Sequence, residues 1–249
     1  MIYNLKKTDL DKKIYRIISF ERLLEIFVSR KNTLVKPSAW SDTFENFILK
    51  SKVRLRSGEI IQYNYFDRMY GQCWTLQKAS DAMWQIYSPN KKNLRIRTTI
   101  RQLRDSFYAA HQSLTDVKCC VGRVKYLYEK ELMEIANKTF DDSGIAVEDI
   151  FKSLLVKRRA FIHENEVRVL YQEWDDENFS DRPLYQYEIN PHNLISQIMI
   201  DPRRSYSEFK LLKDIIRKTT GFKGEMKRSL LYTLPKDITL DVTDILSKK

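Results

Sequence analysis

A chain of 249 residues that is 43% hydrophobic, 12% aromatic and 31% charged has the composition of a globular protein, and six Gly with six Pro leave little material for long flexible linkers. Its 44 basic and 33 acidic residues leave a formal charge of +11, which favours an anionic partner such as nucleic acid, a nucleotide or an acidic protein, although a basic solvated surface reads the same way. Three cysteines, three scattered histidines, a charged first stretch and no run near the roughly 20 apolar residues of a membrane span argue against a disulfide scaffold, a metal site, a signal peptide and a membrane protein; a cytoplasmic protein is expected.

Residues 1–13 read as a mobile lead. IYRII (14–18) predicts a short buried strand, and Ser19 an N-cap for a helix through Phe20, Leu23, Leu24, Phe27 and Val28. A second short strand over 33–36 ends at Pro37, and the polar loop PSAWSDTFEN carries Trp40, Asp42, Phe44 and Glu45. QCWTL (72–76) predicts a strand, and DAMWQIY (81–87) a helix capped by Ser80 or Asp81 and stopped by Pro89. LRIRT (94–98) alternates as a strand, a basic amphipathic helix follows over 99–110, and CCVGRVKYL reads as a strand. The region 129–160 reads as mostly helical, broken near Asp141–Gly144. EVRVLYQ (166–172) has the cleanest alternation and, with LYQYEI (184–189) after an acidic loop, predicts a long-connected hairpin. LISQIMI (194–200) predicts a strand, 205–219 a terminal amphipathic helix, and 236–249 a C-terminal extension. Strands and helices mix without steady βα alternation, so an α+β fold in one compact domain over 1–249 is expected.

Three groups of residues could carry chemistry. Glu164, Glu166 and Arg168 are spaced two apart and should share one strand face. Two carboxylates so placed raise each other's pKa unless a cation relieves them, and Arg168 or Lys157, Arg158 and Arg159 could do so; a solvent-facing ladder of ion pairs has the same spacing. Arg16 puts a guanidinium inside an apolar run, where it seeks a phosphate or carboxylate, Glu45 and Asp42 being internal candidates. Trp84 and Tyr87, three apart beside Met83, suit either a core or a stacking wall. Cys73 reads as a small apolar residue rather than a nucleophile, and neither a Gly-rich dinucleotide loop nor a P-loop nor a serine elbow occurs.

The order of IYRIISFERLLEIF, PSAWSDTFEN, QCWTLQKASDAMWQIY, KRRAFIHENEVRVL and INPHNLISQIMIDPR resembles a large bacterial family of unknown function, with Ser41-Asp42-Thr43 and Asp201 as departures. More distantly, the early Tyr-Arg strand, the central Thr strand and the late Glu-x-Glu resemble ADP-ribosyltransferases, including the DNA-modifying DarT-like toxins. That resemblance implies a mostly antiparallel, split central sheet with flanking helices, and NAD as substrate. It gives Arg16 and Tyr15 to the NAD grip, Thr75 to the brace of the nicotinamide–ribose cleft, Glu166 to catalysis, and Glu164 to activation of the acceptor; Trp84 and Tyr87, from their own spacing, are candidates to stack an adenine, a nicotinamide or a base. No metal is required. A nucleic-acid acceptor, a toxin or phage-defence role and a neutralising antitoxin partner follow as expectations. The residues leave two other readings open: a non-catalytic nucleic-acid-binding module, or a metal-dependent nuclease using Asp42, Glu45, Glu164, Glu166 and Lys157.

Overall fold

The structure, a computed structural model, describes residues 1–40, 42–62, 65–111, 119–140, 145–173 and 182–234. Its centre is a mixed, mostly antiparallel sheet with strands in the order Ile2–Tyr3, Cys119–Arg123, Glu166–Gln172, Met69–Thr75, Lys13–Ile18, Leu94–Thr99, Gln197–Ile200 and Glu225–Arg228. The parallel pairs lie at the two ends of this order, and Leu184–Glu188 pairs with Lys31–Val35, which joins Met69–Thr75 at Val35 and Gly71. The α+β reading is correct. The first residues, read as a mobile lead, include Ile2–Tyr3, which pairs with Val121 and Gly122. The expected extension 236–249 lies outside the described residues.

Helices cover both faces. Phe27, Leu103, Phe107 and Ile216 pack on Val167, Val169 and Tyr171 in one core; Leu49, Ile150 and Phe151 pack on Leu170 in the other. Alternation along Glu166–Gln172 therefore does not separate water from core, since all seven residues are buried. A strand buried on both faces needs a neighbour on each edge, and this one pairs with Met69–Thr75 and Cys119–Arg123. The hairpin expected with 184–189 does not form for that reason: both edges are taken, and Leu184–Glu188 finds Lys31–Val35 instead.

Two further departures build the site. CCVGRVKYL is not one strand: Cys119–Arg123 stays in the central sheet, while Lys125–Leu127 leaves it to pair with Val156–Arg158. The end of the region read as helical is thus a strand that sets Lys157 opposite Tyr126. The central sheet is also split. Lys13–Ile18 pairs with Leu94–Thr99 over six residues but meets Met69–Thr75 only at Tyr15 and Thr75. Beyond that pair the two strands diverge, and a cleft opens between them. Among the described residues no helix is long and apolar enough to cross a membrane.

Candidate active site

The cleft is a cavity of about 250 Å³. Tyr15, Arg16 and Ile17 line one wall, Gly71 to Thr75 the other, and Glu45, Glu164 and Glu166 meet there. Gly71 is required by close approach, since a Cβ would lie 2.6 Å from the Trp40 ring. That ring in turn carries the Arg168 guanidinium, 4.4 Å from its centroid.

The carboxylates converge on two cations. Lys157, 5% exposed, places Nζ 2.7 Å from Glu45 Oε1 and 2.8 Å from Glu166 Oε1, and also pairs with Glu164 Oε2. Arg168, fully buried, donates Nε to Glu166 Oε2 at 2.7 Å, Nη2 to Glu45 Oε2 at 2.6 Å and Nη1 to the Leu154 carbonyl at 2.8 Å. Glu166 is therefore gripped at both oxygens. Burial alone would raise its carboxyl; Arg168, with Glu164 and Lys157, holds it well below the usual range, so it is ionised. Glu164 goes the other way. Burial and the neighbouring Glu166 push it up to about 7, against the pull of Lys157. Its Oε1 accepts the Tyr87 hydroxyl at 2.7 Å, and its carbonyl accepts the Thr75 hydroxyl.

Glu164 and Glu166 do not share a strand. Glu164 ends the 3-10 turn Arg159–Glu164, Glu166 begins the strand, and Asn165 between them is left-handed at φ 44° and ψ 60°. Asparagine tolerates that conformation better than most residues, and Arg123 Nη2 donates to its Oδ1 at 3.0 Å. The pair is a buried cluster rather than a solvent-facing ladder.

Arg16 is half-buried on the opposite wall, and burial pulls its guanidinium down to about 10. The internal partners expected for it are engaged elsewhere: Glu45 with Lys157 and Arg168, and Asp42 with Arg158 at 2.8 Å. Among the described residues Arg16 has no ion pair or hydrogen bond, which leaves its donors for a ligand in the cavity. Tyr15 lines the same wall, its ring under the Arg95 guanidinium at 4.4 Å. The helix Asp81–Tyr87 turns Met83 and Tyr87 to the cavity, four residues apart. Trp84, expected beside Tyr87 in a stacking wall, does not line it: the ring is buried in the protein. Cys73 lines it with a thiol that burial raises far above its ordinary value, so it stands there neutral.

Sequence reasoning did not find Tyr126, whose hydroxyl accepts the Glu166 N–H at 2.8 Å, or Trp40 as the support of Arg168. Neither carries a signal in its neighbourhood, because both act through elements brought together by the side ladder and the split sheet. Beside Lys157, whose Nζ lies 4.6 Å from the Phe161 ring, Arg158 stacks on Phe44 at 4.3 Å and Phe161 at 5.4 Å, and Arg159 on Tyr128 at 4.9 Å.

No protein-family model matches the chain, so the motif order that resembles a bacterial family of unknown function stands without one. No curated protein matches it either. Among solved structures it is similar to Thermus sp. 2.9 DarT in complex with ADP-ribosylated ssDNA, at 12% identity over 92% of this chain and 98% of that one, with a TM-score of 0.42. It is also similar to the same DarT with NAD+ (13% identity, 89% and 98% covered, TM-score 0.39) and with carba-NAD+ (13%, 87% and 94%, TM-score 0.39). At such identities and TM-scores the likeness decides nothing about activity.

Proposed function

We propose that this protein is an NAD-dependent ADP-ribosyltransferase that modifies nucleic acid and acts as a toxin or phage-defence effector held in check by a neutralising partner. One observation carries the reading: Arg16, a guanidinium without a partner among the described residues, faces across a cleft from a rigidly held, ionised Glu166 with Glu164, its carboxyl pushed up to about 7, beside it. The NAD-bound and ADP-ribosylated ssDNA complexes of Thermus sp. 2.9 DarT are of the same chemistry.

In this reading Arg16 pairs with the diphosphate of NAD, a fork on a bidentate anion. The nicotinamide–ribose bond breaks with its electron pair leaving on nicotinamide, and the ribose becomes oxocarbenium-like, as in glycoside hydrolysis. Glu166 accepts a hydrogen bond from the adjacent ribose hydroxyl and stabilises the developing positive charge. Its two engagements leave lone pairs for that bond, since a carboxylate offers about four acceptor sites. Because Lys157 and Arg168 fix it, little reorganisation accompanies the reaction. The acceptor atom then attacks the anomeric carbon and gives its proton to Glu164, whose carboxyl near pH 7 suits a proton acceptor. Thr75 braces this arrangement through the Glu164 carbonyl. The Arg158 and Arg159 stacks on the exposed Phe44 and Tyr128 rings offer a surface to bases and phosphates. A metal-dependent nuclease fits less well, because the Lys157 ammonium occupies the place between Glu45, Glu164 and Glu166 where a cation would sit.

The test is incubation with labelled NAD, RNA and DNA, following label transfer and nicotinamide release. Both should fall about 100-fold or more in Glu166→Gln. No nicotinamide release by folded wild-type protein that still binds nucleic acid would leave a binding module without catalysis.

A further inference from the structure

The helix Asp81–Tyr87 that presents Tyr87 to Glu164 is seven residues long and buries only Met83 and Trp84. A helix this short does not persist on its own hydrogen bonds. Its C-terminal end is tied down from another part of the fold. Asp201, 0% exposed, follows the strand Gln197–Ile200, and the Arg203 side chain folds back on it with Nε at 2.9 Å from Oδ1 and Nη2 at 2.7 Å from Oδ2. The same guanidinium donates Nη2 to the carbonyls of Trp84, at 3.1 Å, and Ser88, and Nη1 to Gln85 Oε1 at 2.8 Å. Ser88 Oγ donates to Asp201 Oδ2 at 2.7 Å, and Asn93 Nδ2 donates to the Tyr87 carbonyl at 2.6 Å. Arg203 thus adds a cation at the negative end of the helix dipole, sharing the Trp84 and Ser88 carbonyls with the N–H groups of Ser88 and Lys91, while Asn93 closes the Tyr87 carbonyl.

We infer that Arg203, anchored by Asp201, is a positioning residue: it holds the Asp81–Tyr87 helix so that the Tyr87 hydroxyl stays on Glu164, and so sets how readily Glu164 takes up a proton. Its consequence for turnover rests on the transferase reading; the coupling from Arg203 to Glu164 does not. Four other elements bring titratable or charged groups to Glu164: Lys157 from Val156–Arg158, Glu166 with Arg168 behind it from Glu166–Gln172, Tyr126 from Lys125–Leu127, and Glu45 through their shared Lys157. His163 precedes it on its own turn. Only the Tyr87 hydrogen bond depends on the helix that Arg203 closes. A donor to a carboxylate favours its ionised form, so its loss raises the pKa, here by about one to two pH units for a hydrogen bond to a charged group.

The experiment is a carboxyl-carbon NMR titration of protein labelled with 13C at the glutamate side chains, without NAD, the Glu164 signal being assigned by its disappearance in Glu164→Gln. Tyr87→Phe and Arg203→Met should each raise the Glu164 midpoint by about one to two units, the double variant no further than Tyr87→Phe alone, and Arg203→Lys should recover part of the shift. Ser88→Ala, a milder loosening of the same helix end, should shift it in the same direction and serves where Arg203→Met does not fold. A Glu164 midpoint unchanged in Arg203→Met or Ser88→Ala while Tyr87→Phe moves it, or unchanged in Tyr87→Phe itself, overturns the inference. Failure of the transferase reading shows separately, as absence of nicotinamide release by the wild type. Where release occurs, its acid limb in Arg203→Met should move up with the titration while the KM for NAD holds.

Discussion

Replacing Lys157 with methionine keeps the volume of the side chain and removes the ammonium on which Glu45, Glu164 and Glu166 converge. In the wild type two buried cations face three buried carboxylates; in the variant Arg168 alone remains, touching Glu45 and Glu166 but not Glu164. Removing one partner of a buried pair costs about 3–5 kcal/mol, because the other charge stays desolvated. For a protein of this size that lowers Tm by roughly 6–20 °C, at about 2–4 °C per kcal/mol. The loss should depend on pH. Without Lys157 the Glu164 and Glu166 carboxyls gain protons more readily in the folded state, so acidification neutralises the repulsion and the deficit narrows. Thermal and urea unfolding of wild type and variant at pH 8 and pH 5 measures it. A deficit below about 1 kcal/mol at pH 8, the value of an exposed pair, or one of the same size at both pH values, refutes the view of Lys157 as the hub of a buried cluster.

Arg16→Met should leave stability unchanged or raise it, since it removes a half-buried cation that has no partner among the described residues, while weakening NAD binding by about 10- to 100-fold; a loss of stability with unchanged binding in calorimetry would place Arg16 in the scaffold instead. Glu164 has a folded pKa of about 7 against an ordinary 4.5, so its contribution to stability is full below about pH 4.5 and lost as pH rises through 7; Glu166, held low, acts in the opposite sense, and its contribution is lost only in acid below that range. Urea midpoints should therefore fall from pH 5 to pH 8 in the wild type and fall less in Glu164→Gln, and equal slopes would contradict the assignment. Phe44→Ala strips from Arg158 the ring 4.3 Å away and leaves in place Phe161, whose ring also carries Lys157; transfer to nucleic acid should drop by about 10-fold while NAD cleavage in its absence is kept, as gel and nicotinamide assays read separately.

Much of this was legible in the chain because it is set within a few residues. Ser19 and Ser80 cap their helices as expected, accepting from the Arg22 and Met83 N–H groups at 3.1 and 3.3 Å. Period-2 and period-3.6 patterns place most strands and helices, and the apolar run around Arg16 marks it as out of keeping with its neighbours. Two local signals misled. Clean alternation in Glu166–Gln172 suggests a strand with one face in water, yet both faces are buried, one against an apolar core and the other around Arg168 and the carboxylates. Spacing alone also joins Trp84 to Tyr87, but the helix turns Met83 and Tyr87 to the cleft and packs Trp84 inward.

The sequence by itself determined an α+β chain, its capped helices, its basic charge and the suspicion attached to Arg16, Glu164 and Glu166, since each depends on composition or on spacing along a few residues. Only the tertiary structure decided what surrounds them. Arg168 meets Glu45 across 123 positions, Tyr87 meets Glu164 across 77, and Lys157 reaches the carboxylates because a short ladder with Lys125–Leu127 carries it there. Such contacts follow from strand order and register, which no local pattern encodes, and a carboxylate's charge state depends on the burial and cations that those long-range pairings create.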